Sequence, residues 1–78
     1  MTATQHKSRA RAWAWRQETE PSMKLVLLAI ARIGEVREEE IRALTGLRPG
    51  SLERTMAKLE AAGLVDEIRE VLSGDRRG

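Results

Sequence analysis

One stretch of the chain repeats apolar residues at the spacing of an amphipathic helix and carries signals for both of its ends. The stretch PSMKLVLLAIARIG runs from Pro21 to Gly34. Proline suits the first helical turn, and glycine readily adopts the left-handed conformation that ends a helix. The i, i+3, i+4, i+7 spacing predicts the inward face of a central core helix. That face comprises Met23, Val26, Leu27, Ile30, Ala31 and Ile33 or Gly34.

A second helix is predicted in EVREEEIRALTG, which ends at Gly46 and has a narrow apolar stripe of Val36, Ile41 and Leu44. Its first turn carries three consecutive glutamates, 38–40, where negative charge complements the helix dipole. Consecutive residues point around a helix rather than to one spot. We therefore interpret these glutamates as a solvated first turn, not as a metal or catalytic site.

A third helix is predicted in LRPGSLERTMAKLEAAGLV, from Pro49 to just before Gly63. Its outer face carries Arg54 and Lys58. Its inward face, at the same helical spacing, comprises Leu52, Thr55, Met56, Leu59 and Ala62. A tight connection with glycine joins the second and third helices, as is typical of a helix-turn-helix.

The last part of the chain, LVDEIREVLSGDRRG, has two interpretations. Val65, Ile68, Val71 and Leu72 are spaced as on a helix, which predicts a short fourth helix or a dimer-forming segment. The alternative is one strand of a truncated wing, which would leave an unpaired edge. The predicted fold is mainly α: a three-helix, winged-helix-like helix-turn-helix domain with a truncated wing or a short fourth helix.

Charge and composition divide the chain into three parts. Residues 1–8 are small, polar and without periodicity, and predict a disordered lead in which His6 is solvated. The helix-turn-helix domain is expected at 9–72, and residues 73–78 are expected to form a flexible basic tail. Residues 1–16 contain four basic and no acidic residues, whereas 17–72 contain eight basic and eleven acidic ones. The ends are therefore basic and the body mildly acidic.

The only aromatic side chains, Trp13 and Trp15, lie in the basic segment SRARAWAWRQ. Residues two apart lie about 200° apart around a helix, so only one of two such rings faces the core. Three arrangements remain open. One ring packs while the other is partly exposed, both pack, or both serve a partner by stacking or as interface anchors.

The segment IRALTGLRPGSLERTMAKLEAAGLV resembles the helix-turn-helix half of bacterial winged-helix proteins. Upstream, AWAWRQETEPSMKLVLLAIARIG is similar to short domains of phage and plasmid replication or regulatory proteins, so the resemblance covers residues 12–65. It implies a recognition helix at about 49–62 that enters the major groove. Arg48 and Ser51 then face the groove at its start, followed by Arg54 and Lys58. Arg48 departs from the pattern, which usually has a capping Ser or Thr there.

The function that this resemblance implies is double-stranded DNA binding by a small phage- or plasmid-type protein, a transcriptional regulator or replication accessory, in the cytoplasm. The basic ends are expected to add phosphate contacts. These come from Arg11, Arg16, Arg76 and Arg77.

A second function class is a phage-encoded inhibitor, similar to anti-CRISPR proteins, that binds a host or defence protein complex on a winged-helix-like scaffold. The acidic body and the missing wing favour it. Trp13 and Trp15 would then be the partner-binding residues. A homodimer is a further arrangement that the sequence leaves open.

Catalysis is not expected, because one histidine, no cysteine and no glycine-rich phosphate loop leave no positioned acid, base or nucleophile. No cofactor and no metal are expected either. The apolar run from Leu25 to Ala31 falls far short of the ~20 residues that span a bilayer, so no membrane partner is expected.

Overall fold

The computed structural model describes residues 2–74, and within that range the secondary structure is helical, with no strand. Five helices follow one another: α1 (Ala3–Arg16), α2 (Pro21–Ile33), α3 (Glu38–Thr45), α4 (Pro49–Ala61) and α5 (Leu64–Ser73). Helix α2 contacts all four others, and α5 also packs against α1 and α4. The predicted mainly α class is thus confirmed, but the described residues form five helices where three or four were predicted, and they contain no wing strand.

The core forms around α2 and takes residues from all five helices. The predicted inward faces of α2 and α4 are buried, except that Ile33 is half-buried and Ala62 exposed. The largest fully buried side chains are Leu27, Ile30, Ile41, Leu59, Ile68 and Val26. Helical periodicity therefore identified most of the core correctly.

Helix α1 corrects the predicted disordered lead of residues 1–8, because it begins at Ala3. Thr2 and Gln5 form a capping box: the Gln5 backbone N–H donates to Thr2 Oγ1 at 3.2 Å, and the Thr2 N–H donates to Gln5 Oε1 at 2.7 Å. His6 is half-buried, and a Cβ built on Gly74 would lie 3.1 Å from its Nε2. The cap and the packing against α5 order this segment.

Helix α5 decides between the two interpretations of the last segment in favour of the helix; the strand interpretation is wrong for the described residues. Val65, Ile68 and Val71 are buried at helical spacing. Asp66 and Glu67 occupy the first turn, where carboxylates complement the helix dipole. A helix satisfies its own backbone hydrogen bonds, whereas a lone wing strand would leave half of them open.

The predicted tail of residues 73–78 lies mostly outside the described residues, since α5 includes Ser73 and the description ends at Gly74. Arg76 and Arg77 therefore have no described position. Among the described helices, none combines the length and apolarity needed to cross a membrane.

The two tryptophans adopt the first of the three arrangements. Trp13 is 5% exposed and packs in the core with Ala10 and Ala14, whereas Trp15 is 60% exposed. The Lys24 ammonium donates to the Trp15 carbonyl at 2.8 Å and lies 5.7 Å from the centre of its ring. Lys24 thereby satisfies a carbonyl at the end of α1 and makes a cation–π contact that holds the exposed indole.

Replacing Leu59 tests the core of α4. We expect Leu59→Ala to lower the free energy of unfolding by ~2–5 kcal/mol, because the side chain is fully buried and its removal leaves a cavity. Urea denaturation followed by circular dichroism measures the loss. Leu25→Ala is the control, because that side chain is 42% exposed and should cost much less. Equal losses would contradict the assigned face of α4.

The tryptophans provide a second test. The Trp15→Phe variant keeps only the buried indole of Trp13, so its emission should lie at shorter wavelength than that of the wild type and should resist acrylamide quenching. The same variant unfolded in urea is the control for a solvated indole. Native quenching as efficient as in the unfolded chain would show that Trp13 does not lie in the core.

Candidate nucleic-acid interface

Helix α4 turns one face into the core and presents the other to solvent. Leu52, Thr55, Met56 and Leu59 are buried, which directs the intervening positions outward. Arg54 and Lys58 lie on that outer face, where a spacing of four residues brings them one above the other. The apolar spacing in the sequence thus positions the two cations.

Arg48 stands at the N-cap of α4 with an extended backbone, φ −69° and ψ 153°, and its side chain makes no capping hydrogen bond. Its carbonyl accepts from the Leu52 N–H at 2.9 Å. Without a side-chain cap, the first backbone N–H groups of α4 keep their partial positive charge unsatisfied by a side chain. The exposed guanidinium of Arg48 adds to that positive end.

Arg54 bends back toward the same end of the helix. Its Nη2 lies 3.5 Å from Ser51 Oγ, a long contact, and a Cβ built on Gly50 would lie 3.9 Å from its Nη1. The guanidinium therefore lies close to Gly50, although an alanine there would also fit. Ser51 and Arg54 therefore lie together in the first turns of α4, which begins directly after Arg48.

Lys58 is held by a residue that the sequence did not suggest. Its Nζ donates to Glu20 Oε2 at 2.9 Å, across 38 positions of the chain. Both side chains are more than half exposed, so the pair contributes about 0–1 kcal/mol. Such a pair opens readily when a phosphate competes for the ammonium group.

Two arginines of α1 were also expected to contact DNA, and the structure separates them. Arg16 ends α1, four residues before Glu20, and four residues span at most about 14 Å. Glu20 in turn pairs with Lys58, so Arg16 precedes by four residues a side chain that contacts α4. Arg11 instead lines a groove between α1 and α2 that contains no residue of α4.

The two tryptophans predicted to bind a partner also lie in different environments. Trp13 is buried, so its indole is withdrawn from any surface and the partner-binding role assigned to it is corrected. Trp15 stays exposed and lines the same groove as Arg11. Sequence reasoning missed Lys24 and Arg32 as neighbours of this groove, although both were recognisable as polar residues outside the apolar stripe of α2.

The glutamates at the start of α3 are all exposed. Arg37 binds Glu40 at 2.9 Å and also pairs with Glu35. The hydrogen bond to Glu40, and to a smaller extent the one to Glu35, raises the pKa of Arg37 above its ordinary value, so the guanidinium stays charged. Of the three glutamates, Glu40 is thus paired with Arg37 at the surface. Within residues 2–74, no three or more His, Cys, Asp or Glu side chains are placed so that they could hold a metal ion.

Comparison with known proteins gives a family and no individual relative. The family model described as TFIIE alpha subunit matches residues 12–74, from the second half of α1 to the end of α5. No curated protein and no solved structure matches the chain. The family model covers most of the chain and includes both the α4 surface and the helices that support it. The chain belongs to the TFIIE alpha subunit family, a winged-helix-type DNA-binding family.

Proposed function

We propose that the protein binds double-stranded DNA by inserting α4 into the major groove. The observation that carries the proposal is the outer face of α4, where Arg48, Ser51, Arg54 and Lys58 stand exposed or half-exposed over a fully packed inner face. A helix supported on one side by a core is the usual shape that enters a major groove. Family membership supports a DNA-binding, transcription-related role.

The four side chains make different contacts with DNA, according to their position and chemistry. Arg48, at the helix start, is placed to read a base edge, since a guanidinium pairs with guanine O6 and N7. Arg54 and Lys58 lie further along and contact phosphates, which position the helix without reading sequence. Ser51 adds a hydroxyl at the groove-facing start. Arg16 contributes a further phosphate contact beside α4.

The proposed activity is binding alone, without a catalytic step. Two finer expectations stay predictions: that the protein is a phage- or plasmid-type regulator or replication accessory, and that it forms a homodimer. The inhibitor that captures a host protein complex also stays a prediction. It would use a different part of the surface, because α4 contributes nothing to the groove beside Trp15.

Alanine substitutions on α4 test the proposal. Arg54→Ala should weaken binding to all duplexes alike and reduce the slope of log affinity against log salt by about one unit. Arg48→Ala should cost ~1–3 kcal/mol on the preferred duplex and relax the choice at one base pair. Fluorescence anisotropy at two salt concentrations measures both effects.

The matched control is Arg69→Ala, which removes the same charge from α5, where Arg69 lies beside Glu60 and Asp66. It should change affinity much less than Arg54→Ala. Equal losses in the two variants would assign the binding to net charge instead of to α4. If the wild type has no affinity for duplex DNA even at low salt, the proposal is overturned.

The pair between Lys58 and Glu20 gives a test with the opposite sign. Glu20→Gln should strengthen duplex binding up to about fivefold, because it frees the ammonium group and removes a carboxylate that repels phosphate. Helix α2 loses no cap, since Glu20 makes no capping hydrogen bond. Glu70→Gln on α5 is the control of equal charge change. The gain should shrink in a Lys58→Ala background, and an undiminished gain there would contradict the assigned pair.

A further inference from the structure

A groove of about 550 Å³ lies between α1 and α2, away from α4. We call it the Trp15 groove. Its lining residues on α1 are Thr4, Lys7, Ser8, Arg11 and Trp15, and those on α2 are Leu28, Ala31 and Arg32. The DNA-binding proposal uses none of these contacts, so the groove requires its own explanation.

The charged side chains that line the Trp15 groove are all cationic: Lys7, Arg11 and Arg32. Arg37 and Lys58 form ion pairs with glutamates, whereas Lys7, Arg11 and Arg32 form none with another residue of 2–74. A Cβ built on Gly34 would lie 2.8 Å from Lys7 Cε, so the stem of Lys7 rests against the end of α2. The groove thus presents positive charge that residues 2–74 do not neutralise.

The same groove has an apolar component that continues beyond it. Trp15 is 60% exposed, and Leu28 is half-buried below it. Arg32 also lines two shallower depressions toward α3, which include Leu25 and Leu44, exposed at 42% and 44%. Trp15, Leu25 and Leu44 are the exposed large hydrophobic residues of the described chain, and all three line depressions that Arg32 shares. Glu40 also lines the depression beside Leu44. Exposed apolar side chains gathered on one side mark an interaction surface.

We propose that the Trp15 groove binds an acidic amphipathic helix of a partner protein. Carboxylates on such a helix would pair with Lys7, Arg11 and Arg32, while its apolar side chains would cover Trp15 and Leu28. Helix-in-groove binding uses this combination of an apolar stripe and flanking charge. Tryptophan and arginine are also the side chains that dominate binding energy at protein interfaces.

The apolar part of the surface distinguishes this occupant from a nucleic acid. Phosphates would satisfy the three cations, but the backbone of a duplex offers nothing to cover Leu25, Leu28 or Leu44. A single strand would stack one base on Trp15 and leave the aliphatic side chains in water. A helix that is both acidic and amphipathic would pair with the cations of the groove and also cover its apolar side chains.

The occupant is also not a helix of a second copy. The two acidic helices of this chain, α3 and α5, already bury their apolar residues in the core, Ile41 from α3 and Ile68 from α5. Neither retains a complete apolar stripe to place in the groove of another molecule. The charge and the apolar stripe are therefore not supplied by residues 2–74, which leaves a partner protein as the proposed source.

A pair of designed peptides tests the proposal. The probe is a helical peptide of about fifteen residues with leucines at i, i+3, i+4 and i+7 and glutamates on both flanks. The control peptide keeps the leucines and replaces every glutamate with lysine. We expect the acidic peptide to bind saturably, with a change in tryptophan emission, and the basic peptide not to bind. In the Trp15→Phe variant the emission change should be lost.

Charge reversal locates the site. Arg11→Glu and Arg32→Glu should each weaken binding of the acidic peptide at least ~tenfold, measured by calorimetry, since both side chains are exposed and line the groove. Arg54→Glu is the matched control on α4. It should leave peptide binding unchanged and abolish duplex binding, whereas Arg11→Glu should retain most duplex binding. Circular dichroism checks that each variant folds.

Four outcomes would overturn the proposal. One is the absence of saturable binding of the acidic peptide below about 1 mM. The second is equal binding of the basic peptide. The third combines two results: single-stranded oligothymidine displaces the acidic peptide, and the Arg11→Glu variant no longer binds oligothymidine. Together they would assign the groove to nucleic acid. The fourth is a concentration-dependent dimer, seen by sedimentation, that Arg11→Glu dissociates.

Discussion

The burial of α2 is the constraint on which the rest of the structure depends. Six of the 13 residues of this helix are buried. The chain has no Phe, Tyr or Cys, so few large apolar side chains are available to pack against them. Four helices are used instead, and α1 and α5 close the sides that α3 and α4 leave open. The main role of the basic segment near the N-terminus is therefore to form a helix that covers α2. Its single buried indole, that of Trp13, supplies the largest side chain of the core.

Periodicity predicted the interior well and the ends poorly. The apolar spacing of α2 and α4 and the glycines after α2 and α3 gave helix faces and boundaries that the structure retains. The start of α1 was missed because its outer turns are polar, although the Thr2 and Gln5 spacing of a capping box was present in the sequence. Polarity was mistaken for disorder, since helix formation there depends on a cap and on packing against α5.

In the candidate sites, features that depend on local spacing could be predicted from the sequence, whereas contacts between distant parts of the chain could not. The outward direction of Arg54 and Lys58 followed from the buried positions between them, so sequence sufficed. The pairing of Lys58 with Glu20 and the meeting of Arg11, Trp15 and Arg32 in one groove join positions far apart in the chain. Net charge was a poor guide as well. The cations form two separate surfaces: one lies on α4 within the mildly acidic body, and in the other Lys7 and Arg11 of the basic N-terminal segment meet Arg32 of the body.

The contact between His6 and Gly74 places the beginning and the end of the described chain side by side. The α1–α5 packing therefore joins the first and last helices of residues 2–74, which folding must achieve across the longest sequence separation between packed helices. A circular permutant that links these ends through a short loop and opens the chain at residues 35–37 would convert this closure into a local helical hairpin. The same opening places α2 and α3 at opposite ends of the permuted chain, so the long-range closure passes from the α1–α5 packing to the packing of α2 against α3 and α4. Relative contact order therefore changes little, and the cost of loop closure is moved to other helices.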